Sequence, residues 1–468
     1  MRIKKIYDVV VIGAGSAGYA AARTAANEGA SVLVVEGGEH IGGLCILRGC
    51  MPTKALIESS YRLHEIKRAR EFGIKVQKPQ PLPVVIQKRR ALLIDDFACY
   101  RRNQLTKTRM FHFLRGLASF RDTHCITIQL LDSKTTTTVH FRKCIIATGS
   151  VVTPTGIEGI ERIGCWTSDD AIFTTRIPTS LTVLGGGAVA VELAQHFARL
   201  GSKVTILQRS QQLLSNFDSD LAAVLHQAFE REGIRVITGC QVTSARKFGS
   251  KKAIQFIHNG KSYQITSQEV LFARGRRPAT AALNCAAAGV ELVNEAVHVG
   301  PDMRTTNPDV FAVGDVNGLM EVVHVAIQQG EIAARNAVRG TNETWDNRLK
   351  TQVVFTDPNI ATVGLSEKEC KANATKYLKA TYPFSDHGKA MIRGFRLGHV
   401  KILACPKDGK ILGGAVVGPD GGELIHELVV AMAASFNVKQ FATIPHYHPT
   451  LSEIWTYPAE EILKKISK

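Results

Sequence analysis

The sequence predicts an α/β fold built on two Rossmann-like units. Two observations carry that prediction: a strand, glycine turn, helix and strand at residues 7 to 36, and a second copy of the pattern at residues 180 to 210. A chain of 468 residues is too long for one hydrophobic core, so further domains are expected around these units. With 45% hydrophobic and 21% charged residues, the composition is that of an ordinary globular protein. No run of about 18 apolar residues appears, so no membrane-spanning helix is expected. The opening MRIKKIYDVVVIGAGSAGYAAARTAA joins a basic end to an apolar stretch, as a signal peptide does. Asp8 interrupts it, however, and its glycines have another use, so a cytoplasmic location is expected.

In the first copy, YDVVVIG reads as a buried strand, GAGSAGYAAARTAANEG as a turn and a small-residue helix, and ASVLVVE as a second strand. Gly13, Gly15 and Gly18 give G-x-G-x-x-G around Ser16 and Ala17. The first glycine permits the tight turn, the second lets backbone approach a pyrophosphate, and the third allows close helix packing. The phosphates would rest on the helix N-terminus. Glu36 ends the second strand, where a carboxylate accepts hydrogen bonds from a ribose.

Next comes GGLCILRGCMPTK, which sets Cys45 and Cys50 among glycines that include Gly43. Taken alone, this segment suits a metal pocket, a pair of buried thiols or a redox disulfide. The other eight cysteines are scattered and form no disulfide framework. Apolar periodicity predicts helices over about 53–72 and 84–105, separated by KPQPLPV, followed by strands ending in KCIIATGS with Thr148 and Gly149.

The second copy carries Gly185, Gly187 and Ala190. Its second strand ends in Gln208-Arg209 where the first ends in Glu36, an exchange that suits the 2′-phosphate of NADPH over NADH. TNPDVFAVGDV predicts a strand ending at Gly314-Asp315, with a helix from about Val322. From about 346 the chain alternates strands (QVVFTD, GHVKILA, ILGGAVVG) with helices and ends in HYHPTLSEIW. The net charge of +17 favours acidic partners. The basic residues are dispersed and show no nucleic-acid-binding signature, so nucleic acid is not expected as a partner.

Together these motifs resemble the flavin-dependent pyridine nucleotide–disulfide oxidoreductases, the family of lipoamide dehydrogenase, glutathione reductase and mercuric reductase. The resemblance covers nearly the whole chain. It rests on the first glycine loop with Glu36, the Cys45/Cys50 segment, ATG at 147–149, the second glycine loop, GRRP from Gly275, Gly314-Asp315 and HPTLSE at 448–453. It implies an α/β architecture of two Rossmann-like dinucleotide-binding domains plus a C-terminal α+β dimerisation domain. The expected division is an FAD domain at 1–150, an NAD(P)H domain at 151–278, completion of the FAD domain at 279–345 and a dimer interface at 346–468.

By that resemblance FAD lies on the first unit, with Glu36 on its ribose and Asp315 on its ribityl chain, and NADPH or NADH lies on the second. Lys54 sits by the flavin with Glu192 as its partner. Cys45 and Cys50 form the redox disulfide, Cys50 nearer the ring and Cys45 facing a small-molecule or carrier-bound disulfide or dithiol. His448, oriented by Glu453, is the base entering from the other subunit of a homodimer; His446 competes, but only His448 precedes the proline. Residues i and i+5 of a regular helix lie roughly 8.7 Å apart, beyond the disulfide limit of about 7 Å, so a bridge needs a bent backbone, for which Gly49 is suited. A structural zinc site wants four ligands, and no second Cys pair or HxxxH is present, so no metal is expected.

Within the family, HPTLSE is similar to lipoamide dehydrogenase, while VVFTDPNIATVG and Gln208-Arg209 are as similar to mercuric or glutathione reductase. Ala188 replaces a residue often aromatic in glutathione reductase, and Ile46-Leu47-Arg48 departs from the common redox loop. Arg48 either serves a thiolate or an anionic substrate, or reaches solvent. The leading expectation is a lipoamide-like NAD(P)H:disulfide oxidoreductase. The alternatives are a mercuric-reductase-like metal-ion reductase, a glutathione-type reductase, or a binding subunit with a vestigial flavin site.

Overall fold

The computed structural model describes residues 4–154 and 156–466 and divides into two compact units. The first comprises Met1–Thr53, Lys88–Pro154 and Gly275–Trp345; the second comprises Lys54–Gln87, Thr155–Arg274 and Asp346–Lys468.

In chain order the first elements are β1 (Ile6–Ile12), α1 (Ser16–Asn27), β2 (Val32–Glu36), α2 (Leu44–Leu47), α3 (Cys50–Arg68), α4 (Pro83–Thr106), β3 (His112–Asp122), β4 (Cys125–Leu130) and β5 (Thr136–Ile146). The expected helices are therefore present, the first beginning at Cys50 itself. In the first unit β1 lies between β2 and β5 in parallel, and strand Val310–Ala312 adds to β5. β3 pairs in parallel with β2 over His112–Arg115, then leaves to join β4 and the start of β5 in an antiparallel meander.

Strand periodicity sends alternate side chains to opposite faces, and the cores follow it. Val10, Ile12, Leu33 and Val35 pack with Phe120, Ile126 and Phe141 of the meander. Val9, Val11, Val32 and Val34 pack with Ala17, Ala21 and Ala25 of α1 and with Ala333 and Ala337 of helix Val323–Arg339. The small residues let those two helices approach closely: a Cβ on Gly330 would stand 2.5 Å from the Ala17 carbonyl oxygen.

One expectation is corrected. The strand before Asp315 stops at Ala312, and Gly314–Asn317 form a 3-10 turn. The Gly314 N–H is taken by Gln329 Oε1 at 2.8 Å, and its φ of +73° leaves the extended region, so the ladder cannot continue.

The second unit holds a parallel sheet ordered Glu269–Phe272, Ser180–Leu184, Lys203–Leu207, Arg235–Ile237. It also holds an antiparallel sheet of five strands between Thr351 and Gly418, packed with helices Gly421–Ala433 and Thr456–Ile466. Among the described residues no helix is long and apolar enough to cross a membrane.

Candidate active site

The first glycine loop is shaped by steric necessity. Gly13 has φ +102°, and a Cβ there would lie 2.3 Å from the Ala147 carbonyl oxygen. A Cβ on Gly18 would lie 1.9 Å from the carbonyl oxygen of Gly13, so the third glycine is required by the turn itself. Gly15 caps α1 without a side-chain hydrogen bond, which leaves the amides of the first turn, beginning at Ser16, open to a phosphate. Glu36 is drawn to the same place: its Oε2 accepts the Ala14 N–H at 2.8 Å and its Oε1 the Gly38 N–H at 2.6 Å. Each oxygen keeps a lone pair for a ribose hydroxyl. A donor-rich turn, a carboxylate and no side chain in the way fit the adenosine end of FAD.

The other candidate FAD residues gather on a short chain of hydrogen bonds. Thr148 Oγ1 donates to the Ala279 carbonyl at 2.9 Å, and Gly149 turns with φ +70°. Ser150 Oγ donates to Asp315 Oδ2 at 2.7 Å, and Arg276 donates to Ser150 Oγ and to its carbonyl. Gly275, at φ +107°, accepts the Thr153 N–H through its carbonyl at 3.2 Å. Burial, reinforced by Asp315, raises the pKa of Glu321 against the pull of Arg276. Ser150, Arg276 and Glu321 escaped the sequence reading; the ATGS and GRRP motifs were the only signals for the first two, and Glu321 lies in neither.

The cysteine segment enters from Gly43, whose φ is +79° and whose Cβ, if present, would sit 2.6 Å from Gly15 Cα. Cys45 lies in α2 and Cys50 opens α3; Arg48 and Gly49 break the helix between them, as the five-residue spacing demands. Gly49 does not use the left-handed region. Its value is proximity, since a Cβ would approach Leu44 O at 3.1 Å and Cys45 Cα at 3.3 Å. Arg48 reaches Glu39, Nη2 to Oε2 at 2.9 Å, an ion pair near the surface. Sequence reasoning passed over Arg101. Its guanidinium lies 4.1 Å over the Tyr19 ring, with Nε and Nη1 buried and unbonded. Burial lowers its pKa against the attraction of Tyr19 and Cys45.

In the second unit Gly185 repeats the role of Gly13, with φ +117° and a virtual Cβ 2.3 Å from the Ala273 carbonyl oxygen. Gly187 caps its helix in open space, and Ala190 is fully buried, so the third position here accepts a methyl group. Gln208 is buried against Gly186 of the loop, while Arg209 is exposed beside it. Lys54 Nζ meets Glu192 Oε2 at 2.7 Å and lies 4.6 Å over the Phe355 ring. Glu192 is 4% exposed and also accepts the Phe355 N–H through Oε1 at 2.9 Å, so it is no solvated helix residue.

His448 Nδ1 stands 2.9 Å from Glu453 Oε2, its ring 80% exposed and the carboxylate buried. Nδ1–H donating to the carboxylate leaves the lone pair on the outward Nε2. His446 has its own partners, Glu427 and the Ile444 carbonyl, and is turned inward. A third imidazole, His387, approaches the far oxygen of Glu453 at 3.3 Å. Two acidic clusters elsewhere, around Asp357 and Asp218, each enclose a cation of the chain itself, Arg199 and Lys401.

Two nucleotide cradles, a bent dicysteine segment and a carboxylate-held histidine define a two-dinucleotide thiol redox enzyme. The chain matches the pyridine nucleotide-disulphide oxidoreductase family over residues 7–330 and that family's dimerisation domain over 351–459, and it belongs to this family. It is an FAD-dependent NAD(P)H disulfide oxidoreductase, and its dimerisation domain assigns a homodimer. It is 32% identical to a dihydrolipoyl dehydrogenase of Geobacillus stearothermophilus, covering 97% of this chain and 96% of that one. To a mercuric reductase of Streptomyces lividans it is 32% identical, covering 99% and 97%. Among solved structures it is similar to a Cu(II) complex of the HOCl-induced flavoprotein disulfide reductase RclA from Escherichia coli, at TM-score 0.84 and 25% identity over 99% of each chain.

Proposed function

We propose that the chain exchanges electrons between NADPH and a lipoamide-like dithiol or disulfide through Cys45 and Cys50. The observation that carries this reading is the His448–Glu453 pair within HPTLSE, because a base fixed in one tautomer suits proton transfer to and from a thiol. The dihydrolipoyl dehydrogenases among the relatives support the same substrate class. Bound FAD supplies two-electron transfer between nicotinamide and sulfur.

The chain's own groups do the rest. The N-terminus of α3 places positive dipole at Cys50 and favours charge on that sulfur. Lys54, held by Glu192, sets a fixed cation for the reduced cofactor. Cys45 serves as the thiol that faces substrate, and the partner subunit's His448 takes its proton at Nε2 and returns it to the leaving thiol. The dispersed thiols suit a reducing, cytoplasmic setting.

A second reading has its own support: the mercuric reductase relative and the Cu(II)-bound structural neighbour make a thiol-bound metal ion an alternative electron acceptor. Steady-state assays decide between them. Dihydrolipoamide with NADP⁺ or NAD⁺, and lipoamide or glutathione disulfide with NADPH or NADH, are expected to give lipoamide turnover. Hg²⁺- or Cu²⁺-dependent NADPH oxidation without any disulfide turnover would transfer the assignment to a metal-ion reductase.

Two substitutions extend the test. His448→Gln is expected to slow the dithiol half-reaction by about 10²–10⁴-fold with cofactor reduction by NADPH unchanged, measured by stopped flow. Arg209→Glu is expected to raise KM for NADPH about tenfold and spare NADH, since one exposed charge contact to a phosphate is worth roughly 1.4 kcal/mol. An unchanged KM for NADPH removes Arg209 from the site.

A further inference from the structure

The His387 side chain is wholly sealed from solvent, at 0% exposure. It opens the short helix Gly388–Ile392, where its Nδ1 accepts the Ala390 N–H at 3.4 Å. An accepting Nδ1 puts the ring proton on Nε2. Nε2 stands 3.3 Å from Glu453 Oε1, within ion-pair distance but outside hydrogen-bond geometry, and it is left buried without a hydrogen-bond partner. The ring is walled by Tyr457 at 6.4 Å, edge-on, and Tyr457 is itself stacked on Tyr382 at 4.0 Å, so it has little freedom to turn away. Burial lowers the pKa of His387 against the attraction of Glu453, which favours the neutral ring, with one N–H beside the carboxylate.

A buried N–H without an acceptor costs about 1–3 kcal/mol. The acceptor in reach is the oxygen of Glu453 that His448 does not use. The carboxylate therefore has an imidazole at each end: a buried one at Oε1 and an exposed one at Oε2. His448, at 80% exposure, has little packing of its own to set its rotamer, so its direction depends on the carboxylate, and the direction of the carboxylate depends on what anchors its far side.

We propose that His387 is a positioning residue for the proton-transferring pair: its Nε2–H anchors Glu453 Oε1 and so fixes Oε2, and with it the His448 ring, in the orientation that presents Nε2 outward. This rests on the reading of His448 as the base. Its chemical content is a neutral donor that holds the carboxylate without adding charge. A lysine or arginine in its place would compete with His448 for that carboxylate.

The test compares His387→Leu, which keeps the volume and loses the donor, with His387→Gln, which restores an N–H, both as the FAD-loaded dimer. Stopped flow reads cofactor reduction by NADPH and the dithiol half-reaction with dihydrolipoamide separately, and thermal unfolding reads stability. The expected result is a roughly tenfold or larger loss in the dithiol half-reaction for His387→Leu, an unchanged nicotinamide half-reaction, and substantial recovery in His387→Gln. Equal loss in both half-reactions, or no recovery with glutamine at matched stability, assigns His387 a packing role and overturns the proposal. Should His387→Leu fail to fold, the imidazole ¹⁵N shifts of the wild-type holoenzyme decide: protonation at Nε2 upholds the proposal, and protonation at Nδ1 overturns it. If His448→Gln itself leaves the dithiol half-reaction intact, the base assignment has failed, and that outcome is distinct from failure at His387.

Discussion

Serine at either Cys45 or Cys50 is expected to reduce disulfide turnover to background while FAD stays bound. The thiolate is the nucleophile, and a serine hydroxyl at neutral pH supplies no equivalent anion. FAD is expected to remain because the proposed cradle of Gly13, Gly15, Gly18, Glu36 and Asp315 is shaped by its own backbone turns and by hydrogen bonds to Ala14, Gly38 and Ser150. The two variants should differ in one respect. With Cys50 replaced, the Cys45 thiolate can still attack a substrate disulfide, forming one S–S bond and expelling one thiol, but nothing in the chain then resolves the product. Intact-mass measurement should find substrate held as a mixed disulfide on Cys45 in Cys50→Ser, and no adduct in Cys45→Ser. The reverse pattern exchanges the roles of the two thiols. Anaerobic titration gives a second measure: wild type should take up about two equivalents of NADPH, one two-electron couple for the disulfide and one for the cofactor, and each variant about one. A wild type that takes up only one equivalent would defeat the redox-disulfide assignment.

The second large effect is steric. Gly18→Ala puts a methyl carbon 1.9 Å from the Gly13 carbonyl oxygen and 3.2 Å from Ala147 Cβ, and the first of these is backbone that cannot swing aside. α1 would have to move off the turn, at a cost of about 1–3 kcal/mol or more, and the first-turn amides would move with it. The variant is expected to purify with little FAD and a lower unfolding midpoint, read by absorbance and calorimetry. Ala190→Gly is the control. The equivalent position of the second unit already carries a methyl group in a buried site, so removing it should cost only the roughly 1 kcal/mol of glycine in a helix and spare FAD. A Gly18→Ala protein with full flavin content would show that the first turn is more compliant than its geometry indicates.

The two loops show how far sequence reading reaches. G-x-G-x-x-G and its variant with Ala190 look alike as strings, and both were legible because the turn between a parallel strand and its helix tolerates so few residues. What the strings did not reveal is that Gly18 answers to the Gly13 carbonyl, a contact the second unit relaxes. Gly49 is a similar case. Its spacing between two cysteines announced a bend, but the structure gives it ordinary φ and a close backbone neighbour in place of a left-handed turn. Asp315 was found by its motif and misplaced by its element, because the Gln329 side chain that ends the strand lies in a later helix.

The sequence by itself determined the two nucleotide units, the dicysteine segment and HPTLSE, since each depends on residues within a few positions of one another and on local backbone rules. It also paired Lys54 with Glu192, but only through family resemblance, since nothing local links residues so far apart. Only the tertiary structure brought Ser150 to Asp315, set Arg101 over Tyr19 and sealed His387 beside Glu453. These groups come from separate strands and helices, and their chemistry depends on burial and on the direction of a single N–H or guanidinium. Neither has a period or a spacing in the chain; both are fixed only when the sheets and helices pack.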